Sequence, residues 1–224
     1  MSKRNDVGVA EDQREQWEGT YSRPEFFGKE PSELGVNALR LFLAEGVRSV
    51  LELGCGQGRD TWLFANSGLQ VVALDYSPTG ICQMGERAKQ LRLEGLVIPK
   101  VQDVRLGIPL PDSSVEAVYS HMFFCMELKE EESSFILKEC LRVLKPGGLN
   151  VYSVRNEHDP HYRKFEPRGE DMYKNPMGYV VQFFDPEKIR RLAKGYEIVS
   201  IREFDDTSPP FVKKLYEVIL RKPK

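Results

Sequence analysis

Val50-Leu51-Glu52-Leu53-Gly54-Cys55-Gly56-Gln57-Gly58-Arg59-Asp60 is the stretch that decides the fold. An apolar run ends in three glycines spaced by two, and a helical pattern follows from about Asp60 to Ser67, where Gly68 stops it. Val71-Val72-Ala73-Leu74-Asp75 comes next, a second apolar run ending in an acid. The order strand, glycine turn, helix, strand, with a carboxylate closing the second strand, is that of a nucleoside-cofactor turn.

Upstream, Ser32 to Glu45 carries an apolar stripe at Leu34, Ala38, Leu41 and Phe42, which predicts a helix capped by Ser32. The first two strands are expected at Val47 to Leu53 and Gln70 to Leu74. Pro78 opens a helix running towards Leu93. Further strands are expected at Leu96 to Val101, Val115 to His121 and Leu149 to Val154. Between the last two, Glu130 to Leu144 is a helix that Lys145-Pro146-Gly147-Gly148 ends. Residues 156–184 show no clear period and are too long for an ordinary connection, so a functional insertion is expected there. Asp185 caps a short helix through Ala193, and Tyr196 to Glu203 and Lys214 to Arg221 read as the final strands. Strands alternating with helices imply an α/β, Rossmann-like sheet covered on both faces. Ligands in such sheets bind beyond the carboxyl ends of the strands, where the glycine turn, Asp75, Asp103 and His121 all fall.

The 224 residues suit one domain. A net charge of -2 without a basic stripe argues against a nucleic-acid partner. No apolar run reaches bilayer length, so no membrane partner is expected. Met1 to Gln16 is polar, unlike a signal peptide, and is expected to begin as a loose tail. Cys55, Cys82, Cys125 and Cys140 are scattered with no CxxC, which fits free thiols in a reduced, cytoplasmic protein.

A dinucleotide fingerprint needs glycine where this chain has Arg59, and no P-loop lysine is present. Glu52-Leu53-Gly54-Cys55-Gly56-Gln57-Gly58, Asp75, and Leu144-Lys145-Pro146-Gly147-Gly148 instead resemble the motifs of the class I S-adenosylmethionine-dependent methyltransferases. The resemblance implies a seven-stranded, mostly parallel sheet over residues 32–224 whose final strand, Leu215 to Leu220, runs antiparallel. It implies S-adenosyl-L-methionine as cofactor. The expected cofactor shell is Glu52 for the ammonium group, the turn residues Gly54, Cys55, Gly56, Gly58, Arg59 and Asp60, and Asp75 for the ribose hydroxyls. Tyr76 and Ser77 follow it, with Tyr76 on the adenine, and Asp103 and Val104 meet the adenine amino group and a ring nitrogen.

A narrower likeness lies upstream. Trp17-Glu18-Gly19-Thr20-Tyr21, Phe26-Phe27-Gly28-Lys29-Glu30-Pro31-Ser32 and Gly56-Gln57-Gly58-Arg59-Asp60 are similar to small methyltransferases related to the tellurite-resistance and thiopurine enzymes, with Asp60 in place of the usual Asn. This implies that residues 1–31 are a lid in which Trp17, Tyr21, Phe26 and Phe27 cover the cofactor and Tyr21 bonds its carboxylate. The alternative is an amphipathic helix packed on the sheet edge.

Methyl transfer requires alignment, exclusion of water and, for some acceptors, loss of a proton. His121 is the first candidate for a general base or substrate orienter, since its ordinary pKa lies near neutrality. It also borders the cofactor shell. Tyr152 and Arg155, at the end of the fifth strand, are further catalytic candidates. Met122, Phe123, Phe124 and Met126 would make an apolar, polarisable pocket. The Asn/Asp-Pro-Pro-aromatic motif of amide and adenine-amine methyltransferases and the Pro-Cys of the cytosine-carbon enzymes are both missing after the fourth strand, which further disfavours nucleic acid. His158, His161, Tyr162, Arg168, Tyr173, Tyr179 and Phe183 place a second pocket wall in the 156–184 insertion. His158-Asp159-Pro160-His161 invites a metal reading, but two histidines and an acid lack a fourth ligand nearby, and no metal is expected. The leading expectation is methyl transfer to a small-molecule acceptor through S, Se, Te, N or O. A protein or peptide methyltransferase and a non-catalytic cofactor-binding regulator are the alternatives.

Overall fold

Apolar strands alternating with amphipathic helices build one twisted sheet in the computed structural model, which describes residues 7–23, 26, 28–208 and 211–224. The elements run α1 (Val7–Tyr21), α2 (Glu33–Ala44), β1 (Ser49–Leu53), α3 (Arg59–Asn66), β2 (Gln70–Asp75), α4 (Pro78–Leu91), β3 (Val97–Val101), β4 (Val115–His121), α5 (Glu130–Val143), β5 (Leu144–Asn156), β6 (Glu166–Gly169), β7 (Met172–Lys174), β8 (Val180–Phe184), α6 (Pro186–Leu192), β9 (Glu197–Asp206) and β10 (Lys213–Arg221). The helices start where the sequence supplies caps. The Ser32 hydroxyl accepts from Gly35 N at 2.9 Å, Ser77 caps α4 ahead of Pro78, and Asp185 accepts from Lys188 N at 2.7 Å ahead of Pro186.

Seven strands lie in the order β3-β2-β1-β4-β5-β10-β9, and only β10 runs against its neighbours. The expected mostly parallel sheet with an antiparallel last strand is therefore present. One layer of core lies between the sheet and α2, α3 and α4, where Phe42, Phe64 and Tyr119 pack edge to face or tilted. The other lies under α5 and α6 and includes Ile136, Cys140, Tyr152, Val154 and Ile189.

Three expectations are corrected. Val7–Tyr21 is a helix, so residues 7–16 are not a loose tail. β5 starts at Leu144, not Leu149, because Leu144 already pairs with Val115 before the Gly147 turn. Residues 156–184 are not an irregular loop: β6, β7 and β8 form an antiparallel meander, bringing the sheet to ten strands. β8 pairs in parallel with Arg155 and Asn156, and β10 already holds the other edge of β5 at Arg155. β8 thus continues the line of β4 beyond His121, where β4 stops. No disulfide joins the four cysteines, and Cys82 alone of them is exposed. Among the described residues no helix is long and apolar enough to cross a membrane.

Candidate active site

The glycine turn after β1 works because its backbone is left-handed at three points: φ is 64° at Gly54, 53° at Gly56 and 86° at Gly58. A Cβ at Gly54 would lie 2.7 Å from Phe123, and one at Gly56 2.9 Å from the Tyr21 hydroxyl oxygen. The turn is therefore a cradle walled by two rings from distant segments. Asp75 fixes it from β2, with Oδ2 accepting from Gly56 N and Oδ1 from Ser77 N, each at 2.9 Å. An ionised carboxylate offers about four acceptor positions, so two remain for a vicinal diol. Burial pushes the Asp75 carboxyl up to about 6, against the pull of backbone N–H groups, those of Ser77 and Gly56 foremost.

Glu52 is buried beneath the turn, and the Thr61 hydroxyl donates to its Oε2. Burial, reinforced by Asp60, pushes Glu52 up to about 8. Asp60 has a structural assignment. Its Oδ1 accepts from Ser32 N at 2.7 Å, and its Oδ2 accepts from the Ser32 and Tyr119 hydroxyls at 2.7 and 2.6 Å. These contacts tie the N-terminus of α2 to the sheet. Cys55 points into the core, with Sγ 3.4 Å from Met84 Sδ. Ser77 spends its hydroxyl on the α4 cap, Gly80 N at 3.0 Å. The Val104 side chain is core, while Arg59 opens α3 beside the turn. Asp103 is forked by Arg105, with Nη2 at 2.7 Å from Oδ2, which outweighs partial burial and holds its carboxyl below the usual range.

α1 lies across this end of the sheet. Arg14 donates to Tyr76 O at 3.0 Å and sits over the Tyr76 ring. Gln57, between the second and third glycines of the turn, donates to Arg23 O at 2.9 Å and to Gln83 Oε1 at 2.8 Å, while Gln83 holds Tyr21 O at 2.8 Å. Phe26 N donates to Gln57 Oε1 at 2.9 Å. Phe27 lies outside the described residues. Trp17 stacks on Tyr21 at 5.7 Å and meets Tyr179 of the meander at 5.0 Å, and Thr20 shares a hydrogen bond with the Tyr179 hydroxyl. Glu18 Oε1 and Gln13 Nε2 are buried with no hydrogen-bond partner among the described residues.

The second half of the site lies across the ends of β4, β5, β9 and β10. The register Glu52↔Tyr119 places His121 abreast of Gly54, and His121 pairs with Ser153. His121 Nδ1 lies 2.8 Å from Ser153 Oγ, which also accepts from Met122 N at 3.0 Å. Its Nε2 is buried with no hydrogen-bond partner among the described residues, 4.0 Å from Asp206 Oδ2. Burial holds the His121 pKa down to about 4; Arg59 and Lys213 add to this, and Asp60 and Asp206 oppose it. Lys213 Nζ is 3.3 Å from Asp206 Oδ2 and donates to Ser208 O at 3.1 Å. Met122 has φ 54°, a strained turn that lays Phe123 over Gly54.

Arg155 shares the His121 face of the sheet. Its Nε donates to Asp159 Oδ2 at 2.9 Å, and its guanidinium lies between Phe183 and Phe211 at 5.2 and 5.4 Å. Asp159 is thereby committed, and His158 points away to Glu203 at 2.6 Å, so His158-Asp159-Pro160-His161 does not converge. Tyr152 is corrected. Three positions from Arg155 on the same strand, it points to the opposite face and packs on Phe124 in the α5 layer. Strand alternation held that signal. Ser153, Asp206 and Lys213 are the residues that sequence reasoning missed.

The family described as a methyltransferase domain matches residues 50–148. A probable S-adenosylmethionine-dependent methyltransferase of Mycolicibacterium smegmatis is 35% identical over 134 residues, 58% of this chain and 44% of that protein. A ubiquinone biosynthesis O-methyltransferase of Xanthomonas oryzae is 33% identical over 143 residues, 62% of this chain and 56% of the relative. The chain thus spans about half the length of these curated relatives. In fold it is similar to Burkholderia thailandensis 1,6-didemethyltoxoflavin-N1-methyltransferase, solved with 1,6-didemethyltoxoflavin and S-adenosylhomocysteine. The TM-score is 0.72 at 17% identity, over 100% of this chain and 93% of that one.

Proposed function

We propose that this chain, a class I S-adenosylmethionine-dependent methyltransferase by its matched domain and its fold, transfers a methyl group to a small-molecule acceptor. The observation that carries the reading is the glycine cradle with Asp75 behind it, which keeps two acceptor positions for a ribose diol. Glu18 Oε1 and Gln13 Nε2, an acceptor and a donor on α1 with no hydrogen-bond partner among the described residues, fit a polar ligand beneath that helix. When bound, S-adenosylmethionine supplies an electrophilic methyl on a sulfonium. The chain's own part is to hold and align. Asp75 takes the ribose, Glu52 lies on the ammonium side, and Phe123 at Gly54 offers an aromatic face to positive charge.

Residues 1–31 are read as the lid, and its described helix, α1, meets the β7–β8 turn through Trp17, Thr20 and Tyr179. A lid docked in this way supports a small acceptor over a peptide, which needs an open channel. One relative named above is a ubiquinone biosynthesis O-methyltransferase, and a small-molecule acceptor is the reading carried to this chain. Calorimetric titration with S-adenosylmethionine and S-adenosylhomocysteine, then methyl-transfer assays over thiols, phenols, amines, selenite and tellurite, tests it. Binding with turnover on one acceptor is expected. Binding without turnover on any of them would point to a macromolecular acceptor or to a cofactor-sensing regulator.

A further inference from the structure

His121, at the end of β4, has a ring nitrogen, Nε2, that is buried and has no hydrogen-bond partner among the described residues. What that atom can do depends on where the ring carries its proton, and Ser153 decides this. Ser153 is wholly buried and has one proton to give and two lone pairs to fill. Met122 N–H, aimed by the left-handed turn at Met122, fills one lone pair at 3.0 Å. His121 Nδ1 is the other partner, at 2.8 Å. Were Nδ1 protonated, both Ser153 lone pairs would be filled and its hydroxyl proton stranded in the core, at a cost of about 1–3 kcal/mol. The hydroxyl therefore donates to Nδ1, and the neutral ring carries its proton on Nε2.

We infer that His121 is a hydrogen-bond donor to the methyl acceptor and not the base that deprotonates it, and that the acceptor is an anion on arrival, an ionised phenol or thiol. This rests on the methyl-transfer reading. The inferred seat of the acceptor is beside Nε2–H at the end of β4, where Asp206 Oδ2, 4.0 Å from Nε2, is beyond hydrogen-bond reach. Asp206 is already engaged by Lys213, so the donor faces a locally neutral wall. An anionic acceptor atom seated there takes the Nε2–H bond with one lone pair. With another it forms the bond to the methyl carbon, as the carbon–sulfur electron pair returns to sulfur and the sulfonium becomes a neutral thioether. The acceptor loses its charge, and no proton moves. Ser153 is a positioning residue, since it acts only through the ring.

The ring can be read directly. In the full chain with isotopically labelled histidine, long-range proton–nitrogen correlation at neutral pH should show His121 protonated at Nε2 and bare at Nδ1. The chain has three histidines, and His121→Gln assigns the signal. Ser153→Ala should yield a mixture of tautomers. A wild-type ring protonated at Nδ1 overturns the inference. With S-adenosylhomocysteine present, 4-nitrophenol added above its own pKa should move the Nε2–H resonance. A titration that leaves that resonance in place overturns the acceptor half. In turnover, His121→Phe should lose about 10- to 100-fold in kcat/KM, and His121→Gln, which keeps a donor, should recover about tenfold of that. Equal losses would make His121 a base. Failure of the cofactor reading looks different: no heat on adding S-adenosylhomocysteine, with the Nε2–H tautomer intact.

Discussion

The two halves of the site handle buried charge in opposite ways. Beneath the glycine turn, Glu52, Asp60 and Asp75 are all buried, and their hydrogen bonds come from hydroxyls and backbone N–H groups. At the ends of β5, β9 and β10 the acids are clamped to bases, Asp159 to Arg155 and Asp206 to Lys213. In the first half burial raises the pKa of Glu52 and of Asp75, and the second half neutralises itself. A cationic ligand gains from the former, because each carboxylate it approaches was expensive to ionise in its absence. The self-neutralised half leaves one directional contact, the His121 donor, to choose the acceptor.

The largest effect that could break this contrast comes from Asp60→Ala. Ser32 N, the Ser32 hydroxyl and the Tyr119 hydroxyl would lose their shared acceptor, and stability in denaturant should fall by about 3–5 kcal/mol. Cofactor affinity per folded molecule should change little. A large loss of affinity at unchanged stability would return Asp60 to the cofactor shell. Asp75→Ala should weaken S-adenosylmethionine binding by about 100-fold or more in calorimetry, through lost ribose bonds and a loosened turn. Undiminished binding would sink the assignment. Gly56→Ala combines φ 53° with a Cβ 2.9 Å from the Tyr21 hydroxyl oxygen, and should cost about 1–2 kcal/mol of stability.

Glu52 sharpens the contrast through pH. Its folded pKa, about 8, lies above the ordinary 4.5, so the folded state binds the extra proton between those values. Stability contributed by Glu52 is therefore lost as pH rises through that window, and Glu52→Gln should flatten the slope. If the cofactor ammonium lies beside Glu52, binding below pH about 8 should release a proton. Calorimetry in buffers of different ionisation enthalpy reads this directly, and Glu52→Gln should abolish it. The smallest effect is expected for Tyr179→Phe. Loss of the Thr20 bond should cost about 0.5–1.5 kcal/mol and show as faster amide exchange in α1.

Residues close in sequence made the first half legible. Asp75 lies 19 positions from the Gly56 amide it holds, within one strand–turn–helix–strand unit. His121 was legible because it ends a strand that apolar alternation delimits. Ser153, Asp206 and Lys213 were not, since they meet it through the β4–β5 register and the β9–β10 hairpin. Asp60 read as a turn residue because its partners, Ser32 and Tyr119, lie 28 and 59 positions away. The meander escaped notice because β6 is an exposed four-residue strand, Glu166-Pro167-Arg168-Gly169, with no alternation to read.

The seat of α1 has a consequence for how the chain is made. Gln16 donates to Met177 O, and Thr20 meets Tyr179, contacts spanning 161 and 159 positions. Translation proceeds at about 5–20 residues per second, so α1 emerges on the order of ten seconds before the surface it docks on exists. Through that interval Trp17 lacks the Tyr179 ring it packs on, and a ribosome-bound holdase or an early proteolytic cut would meet this helix before its docking surface does.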